Sequence, residues 1–266
     1  MRCLISTIIR NRGKHVAAWS NQLLQVVEHN PDIVFDLHVF ENDSTDTTKQ
    51  TLLAVEPMLK KKLNKVEIQI TNLEWPYFHS VKAEQRVKYL AEARNRTLEA
   101  ANSVVNLASY DKVVCIEPDI SYHTFDIGKL LYSDLDIASG YSFLPQGMGV
   151  ADWIYDSWAT RVNPEDSEYF GPHISALPDC LPVASTFNCF CVYNAEPIAE
   201  GVRFSEINPL NGKWDCDTTT ICFAFLQRGY DKIYMCRIPI LHKPWDYFFH
   251  LYLEHQKNLK CLFLPK

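Results

Sequence analysis

Glu117 and Asp119 stand at the end of the apolar run Val113-Val114-Cys115-Ile116, separated only by Pro118. On an extended chain, side chains two residues apart point to the same side. Pro118, with its fixed φ and missing N–H, is expected to hold that geometry. Two carboxylates on one side repel each other unless a cation lies between them. Ligands made only of oxygen favour a hard ion, Mn²⁺ or Mg²⁺, whose shell is often completed by phosphate oxygens. A lone Glu-x-Asp also fits an ordinary polar loop after a core strand, so the pair has to be weighed with its companions.

Arg94 is the first of these. It lies seven residues after Val87 and four before Leu98, on the apolar stripe of "EQRVKYLAEARNRTLEAAN", with Asn95 beside it. A buried guanidinium needs an anionic partner. That partner is either a core acid in a structural ion pair, or the acid pair or a bound diphosphate. "ENDSTDTT" places Glu41, Asp43 and Asp46 within six residues, more acids than a turn and a helix cap need. Glu41 or Asp43 could accept hydrogen bonds from a nucleobase or ribose. Asp215 and Asp217 precede a helix, whose N-terminal dipole favours carboxylates. His242 follows the last long apolar run and, taken with the acid pair, is a candidate third metal ligand.

The elements that must position these residues alternate through the first half. "CLISTII" is a strand, followed by a helix carrying Val16, Trp19, Leu23, Val26 and Val27 at helical spacing. "IVFDLHVFEN", a helix capped near Asp46, "KVEIQI", the helix holding Arg94, and the strand "KVVCIEPDI" come next. This β-α alternation predicts an α/β fold with a mostly parallel sheet and helices on both faces. Ligands of such sheets bind outside the carboxyl ends of the strands, where "RNRG", "ENDSTD" and "EPD" lie. The second half adds an aromatic-rich stretch, the strand "VASTFNCFCVYNA", the helix "TTTICFAFLQRG" and the strand "KIYMCRIPIL". Without a linker or low-complexity break, residues 1–266 read as one domain.

The net charge of −6 and the lack of a long Lys/Arg run argue against a general nucleic-acid binder. No apolar run is long enough to span a membrane. "CLISTII", short and followed by Arg10 and Arg12, is not expected to be a signal peptide. The nine cysteines include no C-x-x-C. Most read as reduced core thiols, which favours a cytoplasmic setting. Cys180, Cys189 and Cys216 lie in loop-like segments and are the candidates for a disulfide.

Taken together, these segments resemble a glycosyltransferase of the GT-A fold, and more narrowly the fungal capsule-associated α-1,3-mannosyltransferase family of the Cryptococcus type. "ENDSTDTT", "YLAEARNRTLEAAN", "CIEPDI", "YDSWATR", "STFNCFCVYNA" and "DCDTTTICFAFLQRGYDKIY" carry the resemblance. It implies retaining transfer of a sugar from a nucleotide donor, GDP-mannose in that family, to a glycan or glycoprotein acceptor, with Mn²⁺ or Mg²⁺. Glu117, Asp119 and His242 would then hold the metal. Thr7, Arg10, Glu41, Asp43, Arg94, Asn95 and Asn188 would form the donor site, largely in residues 1–120. Asp215 or Asp217, with Arg94, would serve catalysis. Tyr155, Asp156 and Trp158 would meet the acceptor in residues 121–266.

The chain departs from the family in carrying Pro118-Asp119 where Asn-Asp is usual. The fungal enzymes also have a membrane anchor and stem, so a Golgi or ER lumen is the alternative location if an anchor has been removed. The sequons at Asn42 and Asn95 fall at the expected site, where a glycan would block it. The rival readings are an inverting transferase with Asp217 as base, a nucleotidyltransferase, and a carbohydrate-binding or scaffold protein without catalysis.

Overall fold

A computed structural model describes residues 1–78, 82–104, 106–143, 154–169, 171 and 174–242. Residues 144–153 of the aromatic-rich stretch and Cys261 therefore lie outside the described residues. The first half alternates as expected: β1 (Arg2–Ile9), α1 (Gly13–His29), β2 (Val34–Asn42), α2 (Thr48–Lys62), β3 (Lys65–Thr71), α3 (Glu84–Val104) and β4 (Lys112–Ile116). The periodicities that predicted these elements are the ones buried. Val16, Trp19, Leu23 and Val26 of α1 pack on one side, and Val87, Ala91, Arg94 and Leu98 of α3 on the other.

The predicted strand over 112–120 is two elements. Pro118 and Asp119 form a turn, and β5 (Ile120–Tyr122) leaves the parallel ladder. Pro118 cannot donate to a ladder, so the chain bends there instead of staying extended. The acid pair is thus arranged by a turn and not by strand alternation. After α4 (Gly128–Leu131) come β6 (Ile137–Phe143), β7 (Cys180–Pro182), β8 (Phe190–Asn194), α5 (Ala195–Ala199), α6 (Asp217–Gln227) and β9 (Ile233–His242).

The strands form one sheet in the order β3-β2-β1-β4-β8-β6-β9-β5, with β7 on β9. β1 to β4, β6 and β9 run one way, and β5, β7 and β8 run against them. Two apolar clusters fill its faces, one under α1 and α2 and one under α3 and α6. Among the described residues no helix is long and apolar enough to cross a membrane.

Cys180 is disulfide-bonded, but to Cys236 of β9 and not to another loop cysteine. Cys189 and Cys216 are buried free thiols, as are Cys3, Cys115, Cys191 and Cys222. The expectation of reduced thiols therefore holds for these six and fails for the β7–β9 pair, whose antiparallel register sets Cys180 directly opposite Cys236.

The loops at the carboxyl edge are fixed by carboxylates. Asp46 accepts from Gly13 N at 3.0 Å and Thr48 N at 2.9 Å, so one side chain caps the starts of both α1 and α2. A Cβ at Gly13 would overlap the Thr47–Thr48 backbone, so glycine alone lets the two helix starts approach this closely. Asp43 is in the left-handed region at φ 56°. Its carboxylate accepts from the N–H groups of Leu73, Glu74 and Trp75 at 2.7, 2.9 and 3.2 Å. It therefore staples residues 73–75 over the sheet edge instead of waiting for a ribose.

Burial opposes the Asp43 charge, but the hydrogen bonds from Asn42 and these amides outweigh it and hold its pKa below the usual value. A depressed native pKa means that the stabilisation is complete above the unfolded value of about 3.9 and is lost as pH falls toward the native one. Asp43→Asn is expected to cost about 1–3 kcal/mol at pH 7 in urea unfolding, because bonds to a charged group are replaced by fewer neutral ones. The deficit should shrink below pH 4. A deficit that does not change with pH would show that the charge is immaterial.

Candidate active site

A cleft of about 560 Å³ opens at the carboxyl ends of β1, β2 and β4. Its floor is organised by Arg94. The α3 stripe carries this residue inward, where it is only 5% exposed. Its Nε donates to Asp217 at 2.9 Å and an Nη to Glu117 at 3.4 Å, while Phe187 lies under the guanidinium at 4.4 Å. Burial works against the charge, and the two carboxylates more than offset it, so Arg94 stays protonated. Asp217, the first residue of α6, and Glu117, just past β4, thus share one cation. Both protein partners considered for Arg94 are therefore present, a core acid in Asp217 and one member of the acid pair in Glu117.

Asp119 is buried and faces two groups. Arg12 Nε donates to its Oδ2 at 2.7 Å, and His242 Nε2 lies 3.6 Å from the same oxygen. The β5–β9 pairing sets Ile120 opposite His242, which brings the histidine to the turn that carries Asp119. Tyr155 stacks on the imidazole at 3.7 Å and 14°, fixing its plane. His242 Nδ1 is buried without a partner among the described residues. Ligand atoms of Glu117, Cys189 and His242 lie within 4.8 Å of one another.

This donor set fits a divalent ion. Carboxylate oxygen and imidazole nitrogen suit Mn²⁺ better than Mg²⁺: Glu117 and His242 are such donors within reach of one another, and Asp119 stands beside the imidazole at Nε2. Cys189 fits less well. Burial, with nearby Glu117 and Asp156, pushes its thiol well above the usual value, and a neutral thiol is a weak ligand for a hard ion.

Tyr155, Asp156 and Trp158 all line the cleft. Asp156 accepts from Asn188 N at 2.9 Å. Burial first, then the charge on Glu117, raises its pKa to about 7. Arg10 lines the cleft too, but it donates to the carbonyls of Trp75 and Pro76 and sits over Tyr77.

Three expected site residues are engaged elsewhere, and two more, Glu41 and Thr7, do not line the cleft. Asn188, at φ 53°, has its amide oxygen on Ser142 and its amide nitrogen on Thr160 and Thr186, which makes it a buried junction. Asn95 points away from the cleft and clamps the backbone of Phe204 through N–H and C=O at 3.0 and 2.8 Å. Asp215 receives both Nη groups of Arg161 at 2.8 and 2.5 Å, so it is not free for catalysis. Glu41 is buried with one oxygen on Ser44 N, and Thr7 is buried in β1; neither lines the cleft. Both sequon amides are engaged, Asn42 with the Asp43 carboxylate and Asn95 with the Phe204 backbone.

Sequence reasoning missed Arg12, Lys82 and Arg86, which bring positive charge into the cleft. Arg12 could have been found, since it stands in "RNRG" at the carboxyl end of the first strand.

The sequence matches the family described as Cryptococcal mannosyltransferase 1 over residues 2–225. The chain belongs to this family. A comparison with curated proteins finds no match. Among solved structures, mannosyltransferase PcManGT from Pyrobaculum calidifontis, in complex with GDP-Man and Mn²⁺, is similar at 9% identity and TM-score 0.54, covering 100% of this chain and 65% of that one. GalNAc-T7 with UDP, GalNAc and Mn²⁺ is similar at 12% identity and TM-score 0.57, covering 91% and 44%. S. aureus TarS 1–349 is similar at 15% identity and TM-score 0.51, covering 91% and 60%. At these identities the likeness is one of fold, and that fold is GT-A. The chain spans less than two thirds of the length of each of these structures.

Arg94→Met should leave Glu117 and Asp217 facing each other without their cation and cost roughly 3–5 kcal/mol in urea unfolding. A variant as stable as the parent would show that the guanidinium is dispensable. The Asp156 carboxyl should titrate near pH 7 by carbon NMR. Its native pKa is raised, so it weakens folding progressively as pH climbs from about 4 to 7 and by a constant amount above. Asp156→Asn should gain stability relative to the parent across that window. An Asp156 midpoint near 4 would contradict the burial argument.

Proposed function

We propose that this chain is a divalent-metal-dependent glycosyltransferase that moves a sugar, mannose from GDP-mannose by its family, from a nucleotide donor to a glycan acceptor with retention. The convergence of Glu117, Asp119 and His242 at one corner of a cleft rich in cations carries the reading. A bound ion would neutralise charge on the leaving diphosphate. Arg12 and Arg86 offer further positive charge along the same cleft. Tyr155 keeps the imidazole in one plane. Arg94 acts by holding Glu117 and Asp217 in place, and Trp158 and Asp156 offer contacts to the incoming acceptor.

One observation favours the inverting alternative in a changed form. Asp217 is tied to Arg94, whereas Asp156, with a pKa of about 7, is suited to act as a general base near neutral pH. The anomeric configuration of the product separates the two mechanisms. For the compartment, the Cys180–Cys236 disulfide supports an oxidising lumen over the cytoplasm.

The test is nucleotide release from a panel of GDP- and UDP-sugars. Turnover is expected with GDP-mannose and Mn²⁺, to vanish in EDTA, and to return on adding Mn²⁺. His242→Ala should raise the Mn²⁺ concentration needed by roughly tenfold or more, with an unchanged melting midpoint. Undiminished turnover in EDTA would sink the metal assignment.

A further inference from the structure

Trp214 has no part in the site described so far. It lies on a hairpin over residues 206–215, where Ile207 and Trp214 form an antiparallel bridge. Asp215 N donates to Glu206 O at 2.8 Å and Asn208 N to Lys213 O at 2.7 Å, and Gly212 turns the tip at φ +72°. The Asp215 carboxylate locks the base of the hairpin through Arg161 and through the Asn208 amide at 3.0 Å. This pinned hairpin nevertheless exposes apolar surface: Trp214 is 42% exposed, Ile207 41% and Leu210 44%.

The position of Trp214 gives that surface a use. Its ring meets Trp158 edge-to-face at 6.3 Å, and Trp158 lines the cleft. Two residues after Asp215 the chain reaches Asp217, itself in the cleft wall. Lys82 lies over the Trp158 ring at 5.3 Å. An exposed indole held rigidly beside a cleft is a preorganised stacking surface. The C–H face of a pyranose is attracted to the negative face of an aromatic ring, and its hydroxyls remain free for polar neighbours.

We propose that the exposed face of Trp214, braced edge-to-face by Trp158, is a platform that binds the acceptor glycan through a pyranose ring beyond the one that receives the new sugar, with Asp215 and Arg161 holding the hairpin in place. The proposal rests on the glycosyltransferase reading. It gives Asp215 a positioning role in place of a catalytic one, and it makes the acceptor an oligosaccharide.

Binding is measured on the full chain without donor, by calorimetry, using α-linked mannotriose and methyl α-mannoside as probes. The parent is expected to bind mannotriose roughly tenfold more tightly than the monosaccharide. Trp214→Ala should abolish that difference and Trp214→Phe should keep most of it, both with the parental melting midpoint because the side chain is half exposed. In turnover, Trp214→Ala should raise the acceptor KM for mannotriose with kcat little changed. Equal mannotriose affinity in the parent and Trp214→Ala, or no binding by the parent, would overturn the platform and leave the exposed face to another partner. Binding as expected without nucleotide release from any sugar donor would keep the platform and defeat the transferase reading.

Discussion

A guanidinium inside an apolar helix stripe is tolerated only if its charge is met there. Arg94 meets this condition with one acid from each half of the chain, Glu117 after β4 and Asp217 at the start of α6. Without that cation the two carboxylates would repel each other across a buried floor. With it, α3, the β4 edge and the α6 N-terminus are pinned to one point. The cleft forms where parallel-sheet topology expects it.

From that point the corner is built by register. β5 pairs with β9 so that His242 reaches the Asp119 turn, and Arg12 and Tyr155 close on the acid and the imidazole respectively. The left-handed pair Asn188-Cys189, at φ 53° and 62°, brings the thiol beneath Glu117, whose N–H donates to Cys189 O at 2.9 Å. Backbone in this region is costly for non-glycine residues and persists where surrounding contacts fix it. Here the Asn188 side chain supplies them from β6 and its neighbours.

The parts legible in the sequence were those governed by periodicity or by the end of an element. Hydrophobic spacing gave the β-α alternation and placed Arg94 on the buried stripe. The ends of apolar runs marked Glu117, Asp119 and His242. What could not be read was where polar side chains spend their hydrogen bonds. Asp43 and Asn95 looked like ligand contacts because short polar residues at a sheet edge are equally suited to binding backbone, and their partners lie 30 to 109 residues away. Asp215 and Asp217 differ by two positions at a helix start, yet one faces Arg161 and the other Arg94. Pro118 was expected to hold the chain extended, but its missing N–H instead ends the ladder, and a turn at Pro118 and Asp119 leads into β5.

The proposal that Asp119, Glu117 and His242 hold a divalent ion is most directly tested by pulsed EPR of Mn²⁺ added with GDP to the full chain. Nitrogen modulation from one directly bound imidazole is expected, and it should disappear in His242→Ala. Bound Mn²⁺ without that modulation, or with the same modulation in both proteins, would contradict it.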